Sequence, residues 1–262
     1  CINTVCNKAP APQLQHLSLI NCSVSKEDVT LISALTGRNG TLSSLEIKTC
    51  KFTDGDALEL LVRMPKNAIK FLAIEEAKLN DNLCKLLINE LANSDNVEML
   101  NLSYNQITKK SAKVIAEYLG TTGTLKELNL CNNLLEEGVV EMCEAIQLSM
   151  TLTELNLSCN DIPEEGIKKL ATAIYQNFKI VNLNVEYNHG LSQQVMKDHG
   201  CTLHLSLQSE YNHGLSQQVM NKLNEYIKRN RKLDAQGAGE ELNDSDAMLE
   251  ELKNQAHNFM TN

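Results

Sequence analysis

The stretch VEMLNLSYNQI at residues 97–107 returns as LKELNLCNNLL at 125–135 and as LTELNLSCNDI at 152–162. Each copy fits L-x-x-L-x-L-x-x-(N/C)-x-L, with Ile or Val standing for some of the leucines. Outward from these three, the same frame lies on Leu14, Leu17, Leu19, Cys22 and Val24, then on Leu42, Leu45, Ile47, Cys50 and Phe52. It continues on Ile69, Leu72, Ile74, Ala77 and Leu79, and closes on Ile180, Leu183, Val185, Asn188 and Leu191, the last with one extra residue. Seven copies follow one another at steps of 27 or 28 residues. A period of that length marks a stack of supersecondary units, none of which can bury its apolar face alone.

Each frame position has a physical task. The central L-x-L predicts a short strand, because strand side chains alternate between faces and both leucines then point inward. The Asn or Cys three residues later falls where the chain turns away, and a buried Asn there can bond backbone groups of the turn. Ala77 has no such side chain, so a weak rung is expected in the third repeat. Helical stripes follow the turns: Ala57, Leu60, Leu61 and Met64; Cys84, Leu87, Ile88 and Leu91; Ala112, Ile115, Ala116 and Leu119; Ile167, Leu170, Ala171 and Ile174. The expectation is an α/β solenoid, with parallel strands on a concave face and helices on the convex face.

Composition agrees with a repetitive interior. Aromatic residues are only 4% and Trp is absent, so the core must be aliphatic. A net charge of −9 argues against nucleic acid, which selects basic surfaces. The nine Cys residues are scattered without a C-x-x-C pair and several occupy core positions, which points to free thiols in a reducing, cytoplasmic compartment. No run is long and apolar enough to span a membrane.

These motifs resemble the ribonuclease-inhibitor-like branch of the leucine-rich-repeat family, whose repeats have this length and a full helix. The resemblance covers residues 14–230 and implies a horseshoe that binds other proteins through its concave face. Residues 1–13 are expected to be an extension or partial cap. The string EYNHGLSQQVM occurs at 186–196 and again at 210–220, an irregular duplication followed by a terminal helix through Val219, Leu223, Tyr226 and Ile227. Residues 231–262 are expected to be an acidic linker and tail, with a last helix carrying Met248, Leu249, Leu252 and Phe259. The acidic group Glu240, Glu241, Glu250 and Glu251 resembles the C-terminal block of type IV-secreted bacterial effectors, which implies release into a host cytosol.

If the frame leucines face inward, Ser18, Glu46, Ala73, Asn101, Asn129, Asn156 and Asn184 run down the middle of the concave face. Around them stand His16, Lys48, Phe71, Glu75, Met99, Ser103, Glu127, Glu154, Ser158 and Glu186. An Asn row and an acidic strip through Glu127, Glu154 and Glu186 predict a groove for a basic protein partner, with Phe71, Met99 and Tyr104 as anchors. The same residues also read simply as a solvated sheet face. The expected function is a monomeric, non-enzymatic binding scaffold, with no cofactor, no metal and no nucleic acid. The alternatives are a GTPase-activating protein like the Ran-specific ones, which join such repeats to an acidic tail, or an inhibitor of a basic enzyme. Asp198, His199, Cys201 and His204 lack a recognised metal-ligand spacing.

Overall fold

The computed structural model describes residues 14–36, 40–188 and 217–237. Seven parallel strands form one sheet: β1 (His16–Ile20), β3 (Ser44–Lys48), β5 (Phe71–Glu75), β6 (Met99–Asn101), β7 (Glu127–Asn129), β8 (Glu154–Asn156) and β9 (Asn182–Asn184). Each pairs in register with the next, so the chain is a solenoid. A second, two-stranded sheet pairs β2 (Ser23–Val24) with β4 (Lys51–Phe52) just beyond the turn. The helices are α1 (Lys26–Thr36), α2 (Ala57–Arg63), α3 (Asp81–Ser94), α4 (Ala112–Thr121), α5 (Val139–Leu148), α6 (Glu164–Gln176) and α7 (Gln217–Gly237). The frame leucines and isoleucines from Leu42 to Val185 are buried and join the helix stripes in one aliphatic core.

The turn after each strand explains the Asn positions. Asn105 Oδ1 accepts from the Ala77 and Leu79 amides, while its Nδ2 donates to the carbonyls of Ile74, Leu102 and Ser103. Asn133, Asn160 and Asn188 repeat this arrangement. One side chain thus serves its own turn and that of the preceding repeat. Cys50 keeps the donor half, its thiol pointing at the Leu19 and Lys48 carbonyls. The residue before each ladder position is left-handed in every repeat: Asn21, Thr49, Glu76, Tyr104, Asn132, Cys159 and Tyr187 have φ between 51° and 57°. None is Gly. From Asn21 to Cys159 their amides donate to carbonyls of the next repeat, which holds them there.

Ala77 leaves a rung unfilled: its amide is held by Asn105, but no hydrogen-bonding side chain at 77 reaches back to the second repeat. The outer pairing is interrupted at that junction: β2 pairs with β4, and bridging resumes only at Asn80 with Gln106. In α2 the buried residues are Ala57, Leu58, Leu61 and Val62, while Leu60 is 40% exposed, since the helix is too short and rotated for the expected stripe. The terminal helix also runs on to Gly237, into residues expected to be linker.

α7 lies against α6, burying Leu223 and Ile227. Arg229 and Asn230 are buried as well. The guanidinium donates to the carbonyls of Ile174, Tyr175 and Asn177, and Asn230 Nδ2 to those of Asn177 and Ile180. Tyr175, Phe178 and Tyr226 ring the guanidinium, at 4.7–5.8 Å. The extension at 1–13, the duplicated segment from 189 to 216, the Asp198–His204 group and the acidic tail from 238 lie outside the described residues.

Candidate binding groove on the concave sheet

Strand alternation sends one set of side chains into the core and the other to the open face, and strand register aligns the open set into rows. One row reads His16, Ser44, Phe71, Met99, Glu127, Glu154 and Asn182, one residue per strand. The row beside it reads Ser18, Glu46, Ala73, Asn101, Asn129, Asn156 and Asn184. A groove of about 410 Å³ is lined by Phe71, Met99, Glu127, Glu154 and Asn182 from the first row and the four Asn of the second.

The Asn row has a structural duty. The Oδ1 atoms of Asn101, Asn129, Asn156 and Asn184 each accept the amide two residues on, from Ser103, Cys131, Ser158 and Glu186. This local bond holds the start of the turn. Asn101 spends its Nδ2 weakly on Glu75. The Nδ2 groups of Asn129, Asn156 and Asn184 have no partner among the described residues, so the row offers donors to the groove.

The acids divide differently from the expected strip. Glu46 accepts from Ser18, and Glu75 is paired with Lys48 at 2.8 Å. Glu98, one residue before β6, is held between Lys70 and Lys126, and this clamp keeps its carboxyl below the ordinary range. Glu127 and Glu154 are register partners on neighbouring strands, and neither forms an ion pair among the described residues. Burial, and then the Glu154 charge, push the Glu127 carboxyl up. Asn182 donates to Glu154 at 2.9 Å and follows it in that row. Glu186 stands beyond β9, at the turn, outside the groove lining. Tyr104 also sits at a turn, with φ 57°, away from the lining. Asn182 was not singled out from the sequence; its place one strand beyond Glu154 in the frame was the available signal.

Among the described residues there is no group of His, Cys, Asp or Glu arranged to hold a metal. No helix there is long and apolar enough to cross a membrane. Cys22, Cys50, Cys84 and Cys143 are free thiols, and burial pushes those of Cys84 and Cys143 up to about 12 and about 11.

Comparison with known proteins agrees with the geometry. Residues 94–116 and 148–171 match the family model for the leucine rich repeat. Human NACHT, LRR and PYD domains-containing protein 13 is 31% identical over 139 residues, which is 52% of this chain and 13% of that protein. Mouse NACHT, LRR and PYD domains-containing protein 14 is 30% identical over 139 residues, 52% of this chain and 14% of that protein. The chain therefore spans a small part of these relatives. Two solved structures share the fold: the actin-binding site 2 of leiomodin-1 (TM-score 0.52, 16% identity, 69% of this chain and 91% of that one) and the Caenorhabditis elegans tropomodulin C-terminal domain (TM-score 0.53, 15% identity, 72% and 100%).

Proposed function

Because this chain is a leucine-rich-repeat protein with one open sheet face, we propose that it is a binding scaffold whose concave groove receives another protein. The observation that carries the reading is the row Phe71, Met99, Glu127, Glu154. Two large apolar side chains lie half-buried beside two carboxylates that face each other without a cation. Anchors of this kind contribute most of the affinity where an interface forms. The carboxylate pair is repulsive in the free protein, and a Lys or Arg from the partner relieves that repulsion. The groove thus selects a basic surface with an apolar flank. No catalytic step is assigned to it.

The test is a pull-down from eukaryotic cytosol with three forms of the chain: wild type, Phe71→Ala/Glu127→Lys/Glu154→Lys, and Lys85→Glu on the exposed side of α3. Captured proteins are identified and the interaction is remade with the purified partner. A partner kept by wild type and the α3 variant but lost by the groove variant supports the reading. Equal capture by all three overturns it.

A further inference from the structure

The order of residues along the first row points to the shape of the partner. Phe71, Met99, Glu127 and Glu154 stand on four consecutive strands, in register. Neighbouring strands are about 4.8 Å apart, and one turn of an α-helix rises about 5.4 Å. A helix laid across the strands therefore presents one residue per strand from a single stripe, spaced three or four residues apart. An extended segment laid the same way places same-side residues about 6.8 Å apart and is out of step within two strands.

Resting on the concave-face reading above, we propose that the bound element is an amphipathic helix whose stripe runs apolar, apolar, basic, basic. Its apolar half packs on Phe71 and Met99, and its basic half pairs with Glu127 and Glu154. The second row fixes where the positive charge must lie. The Asn129, Asn156 and Asn184 oxygens each already accept a turn amide, whereas their Nδ2 groups have no partner among the described residues, so the row presents amide donors to the groove. A cation shifted onto that row would meet N–H groups, whereas one on the first row meets carboxylates. Donors in the second row suit acceptor side chains, Glu or Gln, on the flank of the same helix.

Two stapled helical peptides of one composition test this by fluorescence anisotropy with the full chain. The first carries Leu at positions 1 and 5, Lys at 8 and Arg at 12; the second interleaves them, with Leu at 1 and 8, Lys at 5 and Arg at 12. The segregated peptide is expected to bind at least about tenfold more tightly, and Glu127→Gln/Glu154→Gln is expected to erase that advantage. Equal binding of both peptides that is lost in Phe71→Ala/Glu127→Gln/Glu154→Gln overturns the stripe order and leaves concave-face docking standing. Binding that ignores those substitutions overturns both. Failure of both peptides to bind overturns the helix, while the pull-down decides the face.

Discussion

Arg229 does for the sixth repeat what Asn177 does for the fifth. Asn177 Nδ2 donates to the carbonyls of Ile146 and Ser149; one repeat later, Arg229 Nη2 donates to those of Ile174 and Asn177. Arg231 extends the substitution, its Nε reaching the Val181 carbonyl as backbone amides reach that of Thr153 in the repeat before. A helix thereby supplies the hydrogen bonds that another repeat would have made.

Replacing Arg229 by Met should take one donor from each of the Ile174, Tyr175 and Asn177 carbonyls, of which Asn177 keeps that of Asn230, and lower stability by about 2–4 kcal/mol, since bonds from a charged donor are worth more than neutral ones. Stacked repeats couple mainly to their neighbours. Hydrogen exchange should therefore quicken over β9 and the end of α6 and stay unchanged at β3 and β5. Uniform loss of protection would show that α7 is not a local cover.

The ladder on the two sides of Ala77 should respond in both senses. Asn105→Ala removes the acceptor for the Ala77 and Leu79 amides and the donor to Ile74, a cost of about 2–3 kcal/mol. Ala77→Asn should restore the missing rung toward Cys50 and Phe52 and raise the urea midpoint, with a gain of about 1 kcal/mol. A fall in midpoint for Ala77→Asn would mean that the site is too tightly packed for the larger side chain.

The strands, the core and the Asn ladder were legible because a repeated frame states the same constraint seven times. Glu127 and Glu154 were legible as neighbours for the same reason: they hold equivalent places in successive copies. Glu186 was grouped with them by charge, although its frame position puts it at a turn; register, not composition, decides the row. Arg229, Asn230 and Lys66 carried no signal, since polar residues in and after a helix ordinarily face water. Their burial follows from what packs against them, which no local pattern encodes. Leu60 failed in the other direction, because a two-turn helix fits several apolar stripes equally well.

Gly138 marks a close approach that the frame does not reveal. A Cβ there would stand 2.8 Å from Lys109 Cα, a backbone atom that cannot swing aside. The two short 3₁₀ turns, Lys109–Ser111 and Glu136–Gly138, meet at this point and are bridged on the surface by Lys109 with Glu136 and Glu137. Gly138→Ala should cost about 1–3 kcal/mol by forcing the turns apart. Gly120, with open space around it, is the control: Gly120→Ala should leave the thermal midpoint equal or higher. Equal effects at the two positions would refute the contact.

Lys66 gives the fold a pH dependence of unusual sign. The residue is 1% exposed just beyond α2, and its Nζ donates to the carbonyls of Leu61, Val62 and Met64 at the end of that helix. Burial pulls its pKa down to about 7, from an ordinary value of 10.5. A base whose folded pKa lies below its unfolded one carries its full penalty below about pH 7. The penalty shrinks as pH rises and is gone above about 10.5, so stability should climb with pH. Between pH 7 and 8.5 the gain is on the order of 1–2 kcal/mol. The raised thiols of Cys84 and Cys143 act oppositely, but only once unfolded thiols ionise near pH 9, so the window is clean below that. Urea midpoints from pH 6.5 to 8.5 should rise for the wild type and stay nearly level for Lys66→Met. Parallel profiles for the two proteins would place the proton on another group.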